Sequence, residues 1–401
     1  MDKDRKFTGQ PIFGQILKCI DFKTLSKLAQ KRQSDRYYKT LPVKKHMISL
    51  LYGVFTYCNG LRELCEGLLG CEGKLAHLGF DKAPARSTLS DANTNRSYLI
   101  FEDLYFSLVS KYSSFISDSR LKGLLIKNLR IADSTSIKLF SDILKGVGRN
   151  PTELSRKKGG IKVHSLMNAF TGIAEYVRIT EAKEHDRLFL NHINLKKNSF
   201  VVFDKAYIDY KHFAKWTSNQ VWFVTRIKKN AVYHVTKVLQ DKTKKKNPKG
   251  VLKEQLITVG YKEGSEHKRL KLRKIIFQTE EGKVYEYITN NMTLPASQIA
   301  QIYKYRWQIE LLFKQIKQNF PLRYFWGESE NAIKIQVYLI LIAQLLMVVV
   351  RKKSMTKKSF ANIITLIRLH LMSYVDLIGF IKETKKAWRK ANAPPDLFAR
   401  G

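Results

Sequence analysis

Apolar positions change period along the 401 residues. Up to about residue 120 they recur every three or four places, in Pro11 to Gln30, Pro42 to Leu51, Leu61 to Leu69 and Tyr98 to Phe115. That spacing predicts helices burying one face. Ser87 to Asn93 reads as the start of a further, polar helix, with Asn95 and Arg96 behind it. From about residue 121 the pattern shortens. Leu124 to Ala132 is an apolar run reaching Asp133. Lys162 to Phe170 and Gly172 to Thr180 predict a hairpin turning at Thr171-Gly172. Ser199 to Phe203 is a buried run reaching Asp204, residues 207 to 217 read as helix, and Val221 to Ile227 as strand. Strands interleaved with a helix predict a mixed α/β layer.

Residues 228 to 293 alternate in Val251 to Val259, Arg269 to Gln278 and Lys283 to Asn290, a β-rich stretch with a basic loop at Lys244 to Gly250. Leu294-Pro295-Ala296-Ser297 opens a helix expected to run through Phe320, and residues 331 to about 388 are helical. The expected organisation is therefore 1–120 helical, 121–227 mixed α/β, 228–293 β-rich, 294–330 a long helix and 331–401 helical.

Charge narrows the function. Lys and Arg number 72 against 34 Asp and Glu, a net +38, while hydrophobic residues make up 44%. The apolar share supports large cores and excludes a disordered or collagen-like chain. The excess favours a polyanionic partner, nucleic acid ahead of an anionic membrane. In that light the polar helix near Ser87 reads either as a solvated face or as a major-groove reader. Ile333 to Val350 is apolar enough for a marginal membrane span, but Lys334, Gln336 and Gln344 interrupt it, which favours a buried core helix. Four cysteines lie within the first 71 residues without a CxxC pair, as expected of reduced cytoplasmic thiols.

In a chain so poor in acids, Asp133 and Asp204 each follow an apolar run. A carboxylate there needs compensation, from a loop hydrogen bond or from a cation. A third acid, Glu310, shares a helical face with Tyr303, Arg306 and Lys317. Taken alone, the Arg306–Glu310 spacing is also that of an ordinary i,i+4 ion pair.

Tyr303-x2-Arg306-x3-Glu310-x6-Lys317, with Asp133 in Ala-Asp-Ser-Thr and Asp204 in Phe-Asp-Lys-Ala-Tyr, resembles the bacterial insertion-sequence transposases of the IS-four family over nearly the whole chain. Ala206 stands where family members often carry Gly. The resemblance implies an RNase H-like mixed-sheet catalytic core with a β-rich insertion, between a helical N-terminal DNA-binding region and a helical C-terminal region. It implies a DDE transposase in which Asp133, Asp204 and Glu310 hold two Mg²⁺, with Mn²⁺ as a substitute. Water would cut a phosphodiester at the element's end, and the freed 3′-hydroxyl would lead, through a hairpin in studied relatives, to joining with target DNA. Arg306 and Lys317 would hold phosphates and Tyr303 a terminal phosphate. Tyr285 stands near the family's base-stacking aromatic, although cross-strand packing explains it equally well. Trp307 reads as core packing. His185-Asp186 resembles a His-Asp pair near the active site, or serves as a structural hydrogen bond. Arg156, Lys157, Lys158 and Lys162 lie where DNA could pass. The implied partners are terminal inverted repeats, target DNA and a second copy in a homodimer or larger synapse, without a membrane. The implied location is the bacterial cytoplasm, at the nucleoid. An inactive, domesticated DNA-binding protein is the alternative.

Overall fold

The computed structural model describes residues 9–117, 126–138, 160–243 and 250–391. They group into two compact units, one drawn from Met1–Ile116 and Lys314–Gly401, the other from Ser117–Ser141 and Lys145–Phe313. Arg156 to Lys158 and Lys244 to Lys249 lie outside the described residues.

The chain opens with α1 (Ile12–Leu17), α2 (Phe22–Lys31), α3 (Val43–Thr56), α4 (Leu61–Leu69), α5 (Arg86–Asn95) and α6 (Leu99–Ile116). The Pro11 to Gln30 pattern is two helices because Asp21 leaves helical geometry and caps α2, its carboxylate accepting from the backbone N–H groups of Lys23 and Thr24. The second unit follows with β1 (Leu129–Lys138), β2 (Gly160–Asn168), β3 (Ile173–Glu181), β4 (Phe200–Phe203), α7 (Tyr210–Ser218) and β5 (Trp222–Arg226). It continues through β6 (His234–Asp241), β7 (Gly250–Glu263), β8 (Glu266–Gln278), β9 (Val284–Thr289) and α8 (Ala296–Lys304). The chain then passes along α9 (Trp307–Asn319) to α10 (Glu330–Ser354), α11 (Phe360–His370), α12 (Leu377–Lys382) and α13 (Thr384–Ala391).

All nine strands form one sheet, in the order β3-β2-β1-β4-β5-β9-β8-β7-β6. Three antiparallel strands are followed by two parallel ones, since β1 pairs antiparallel with β2 and parallel with β4, and β4 parallel with β5. This is the RNase H-like core. The β-rich stretch makes no sheet of its own: β9 pairs antiparallel with β5, Val224 against Thr289, and the strands beyond it prolong the core sheet. The periodicity missed β6, because seven of its eight residues are exposed and no buried face marks it.

On one face of the sheet Phe203 and Phe223 pack with Phe213 and Trp216 of α7, the Phe213 and Phe223 rings 4.1 Å apart. Val202 and Val224 alternate to the opposite face. In the helical unit α10 packs with α3, α5, α6, α11 and α12. It is long and apolar enough to cross a membrane, yet its apolar window is 89% buried, so here it is the core of a helical bundle. Its interruptions are accommodated: Lys334 pairs with Glu330 at 2.7 Å, and Gln336 is buried in hydrogen bonds.

Candidate active site

Asp133 does not end its strand, contrary to the sequence pattern. β1 continues to Lys138 against β2, while its pairing with β4 stops at Ala132 against Phe203. Asp133 and Asp204 are therefore the next residues on two neighbouring strands, where the β1–β4 ladder opens. Adjacent parallel strands lie about 4.8 Å apart, so the two acids stand side by side. Asp204 accepts from the Ala206 backbone N–H at 3.1 Å in a helical turn that needs no glycine.

Glu310 comes from α9. The expected single helix from 294 to 320 is two, because Tyr305, Arg306, Gln308 and Ile309 donate to carbonyls three residues back and the turn tightens there. Arg306, at the break, reaches Asp133 Oδ2 at 3.2 Å and Glu310 Oε1, bridging two acids with one guanidinium. Arg226, at the end of β5, reaches Asp204 Oδ2 at 3.4 Å.

Electrostatics reflect this crowding. Burial pushes the Asp133 carboxyl up to about 6, against the pull of the Ser134 N–H and Arg306, with Asp204 and Glu310 pushing it up further. Three acids thus meet two guanidinium groups. Hard carboxylate oxygens are the donors Mg²⁺ and Mn²⁺ take. Among the described residues no three His, Cys, Asp or Glu side chains stand as a ready ligand cluster, and Arg306 and Arg226 supply the positive charge. The residues fit divalent cations in donor type and in the surplus of negative charge.

Residues 126–346 match the family Transposase DDE domain, over more than half of the chain and across all three acids. The chain belongs to the DDE transposases of insertion sequences. Residues 8–81 separately match a domain of unknown function, DUF4372. The transposase is 28% identical over 265 residues to a Sinorhizobium fredii protein named as transposase y4zB, covering 66% of this chain and 71% of that one. It is 28% identical to the Synechocystis transposase named for insertion sequence element IS4SA, over 65% and 70% of the two chains. The cryo-EM piggyBac transposase synaptic complex with hairpin DNA aligns at 11% identity and a TM-score of 0.40, over 96% of this chain and 81% of that one.

Other predicted residues of the transposase fall in different places. Tyr303 is buried, its ring 4.9 Å from that of Tyr287 and 5.9 Å from each of the Arg226 and Arg306 guanidinium carbons. Tyr285, half-buried on β9, lies 6.0 Å from the Arg226 guanidinium and 6.1 Å from the Tyr287 ring. Lys317 is exposed on the last turn of α9, among the residues of the helical unit. Trp307 is 58% exposed, so it is not core packing: the helix break turns it outward while Ile309, Leu312 and Phe313 take the buried side.

The Asp186 carboxylate, and not His185, enters the site network. It accepts from Ser134 Oγ at 2.7 Å and lies 3.3 Å from Lys162 Nζ and 3.8 Å from His164 Nδ1. Burial pushes the His164 imidazole down to about 4, so it stays neutral. Arg226, Ser134 and His164 were missed from sequence. Arg226 had one signal, its position at the end of the strand that follows Asp204, but nothing in the pattern said that β5 lies beside β4.

Proposed function

We propose that the transposase cuts DNA at the ends of its element and joins them to target DNA by divalent-cation-dependent hydrolysis and strand transfer, with Asp133, Asp204 and Glu310 as the cation-holding and catalytic acids. One observation supports this above the others: the β1–β4 ladder opens where both Asp residues stand, and Arg306 ties Asp133 to Glu310 from another element. Two bound Mg²⁺ would supply the charge that activates the attacking water and stabilises the leaving oxygen of the phosphodiester.

The chain's own side chains do the rest. Arg306 and Arg226 are positioned to turn from the carboxylates to phosphate oxygens, through charge-assisted hydrogen bonds. Lys317 offers a further cation along the same helix. Tyr285, beside Arg226, offers a ring on which an unstacked base could rest, which offsets part of the cost of unstacking. Asp186 holds the Ser134 hydroxyl, whose neighbouring N–H binds Asp133 at 2.8 Å, and so sets the direction of that carboxylate. The helical region 1–120 binds the terminal inverted repeats, and two copies bring two ends together at the nucleoid, since pairing identical ends calls for two-fold symmetry.

The test is strand cleavage of a labelled duplex copied from the element's end, in Mg²⁺ or EDTA, with wild type and Glu310→Gln. Nicking at the element boundary that needs Mg²⁺ and vanishes in the variant is the expected result. Binding without cleavage by the wild type would overturn it in favour of a passive DNA-binding protein.

A further inference from the structure

The polar helix that the sequence left open between a solvated face and a groove reader, α5, has its buried side committed elsewhere. Its Asn93 is buried against His46 at 2.8 Å, and its exposed side carries one cation, Arg86, and an acid, Asp91. A different helix carries the recognition pattern. On α2, Leu25 and Ala29 face the core, 2% and 6% exposed, while Lys23, Ser26, Lys27, Gln30 and Lys31 are all exposed. At 100° per residue those five fall in a single arc, with the lysines along one side and Ser26 and Gln30 along the other. No acid lies in that arc. The acids at its ends are engaged: Asp21 caps the helix, and Asp35 accepts from the Val43 N–H at 2.6 Å and faces Arg96 at 3.4 Å.

The helix ends in a turn of specific build. Ser34 N donates to Ala29 O at 3.0 Å and Gln33 N to Gln30 O at 3.1 Å, the double bond pattern of a Schellman cap. The left-handed residue of that cap is normally Gly, yet here it is Gln33, at φ +49°. A strained backbone under a polar side chain is grounds to look for what the side chain does. Gln33 Oε1 accepts from Arg36 Nη1 at 3.4 Å, and Ser26, Ala29, Gln30, Gln33, Asp35 and Arg36 line a surface cavity of about 600 Å³, in which the one acid, Asp35, is the carboxylate already held by the Val43 N–H and Arg96. The buried Arg96 holds this turn from beneath, donating to Ser34 O at 3.2 Å and Leu41 O at 2.8 Å, and Arg32 ties α2 to Asp103 at 2.6 Å.

We infer that α2 and its cap form the surface that reads the element's terminal repeat, with the helix in the major groove, the lysine row on one phosphate strand, and Gln30, Gln33 and Arg36 at base edges. The inference rests on the transposase reading above and gives it a recognition element inside residues 8–81. An α-helix fits the major groove, Gln pairs two-pronged with adenine and Arg with guanine, and lysines supply the sequence-independent phosphate contacts. A rigid helix carrying both sets, in a chain of net charge +38, suits duplex DNA.

Gln33→Gly separates reading from folding, because Gly is the favoured residue at that cap. Binding is measured by fluorescence anisotropy on a duplex copied from the element's end and on a scrambled duplex of equal composition, over a salt series, together with thermal unfolding. Gln33→Gly should keep or raise Tm while its preference for the end duplex falls about tenfold, and Gln30→Ala should do the same. Lys27→Ala with Lys31→Ala should weaken both duplexes alike and lower the salt slope by about two. Wild-type preference retained in Gln33→Gly and Gln30→Ala overturns the inference, as does a wild type that prefers neither duplex. Mg²⁺-dependent cleavage, and its loss in Glu310→Gln, is scored separately, so a failure of the catalytic reading is not mistaken for a failure of this one.

Discussion

In the helical unit Gln336 is 1% exposed and uses both ends of its amide: Oε1 accepts from the Trp326 N–H at 2.9 Å, and Nε2 donates to Pro321 O and Tyr324 O at 2.8 Å each. Beside it Asn331 donates to the carbonyls of Asn93 and Arg96 at 2.8 Å and accepts from the Tyr98 N–H at 3.0 Å. In the sheet unit Asp133 is mostly enclosed, its side chain 17% exposed, but its neighbours include two more acids, and one arginine is shared between it and Glu310. Both regions bury polar groups. Where each has its full set of partners the group is a staple that fixes how the chain crosses itself. Where like charges converge and share too few partners, the arrangement costs stability, and here it coincides with the proposed reaction centre.

The largest effect that tests this contrast is catalytic. Glu310→Gln or Asp204→Asn should lower strand cleavage by about a thousandfold or more while leaving the unfolding midpoint unchanged or slightly raised. A large loss of Tm would class these acids with the staples instead. Gln336→Leu should do the reverse, costing about 4 kcal/mol in chemical denaturation by leaving one N–H and two carbonyls unpaired. Tolerance of that change would break the comparison from the other side.

Acidity gives a third check. With its folded carboxyl raised to about 6 from the ordinary 3.8, Asp133 binds its proton more tightly folded than unfolded. Its contribution is therefore full below about pH 4 and is lost as pH rises through 6, up to about 3 kcal/mol in all. In EDTA the wild type should lose Tm between pH 4.5 and 7, and Asp133→Asn should lose less. An equal slope in both proteins would show that Asp133 is not the strained group. The smallest effect concerns Trp307, whose replacement by Ala should shift stability by no more than about 0.5 kcal/mol, because the ring is mostly in solvent. A drop of several kcal/mol would restore it to the core.

The sequence by itself determined the class of fold and the identity of the family. Helical spacing in the flanking regions, alternation in the middle, the excess of cations and the four spaced residues around Glu310 are properties of local order, and local order survives in one dimension. It also marked Asp133 and Asp204 as acids in costly places. Apart from the β2–β3 hairpin, which it foretold, it left open or misjudged which distant segments become neighbours. That β1 runs past Asp133, that β9 closes onto β5, that Arg226 comes to Asp204 and that α9 starts afresh after Tyr305 are outcomes of strand register and helix packing. Register is set by pairing between strands up to 71 residues apart, and the turn before α9 by how two helices each find a core. For α10 the polar interruptions already favoured a bundle core over a membrane span, and the neighbours that bury it agree with that reading. The acids could be picked out from the chain, but their convergence required the sheet, because carboxylates repel one another and only a framework stabilised elsewhere can hold them together.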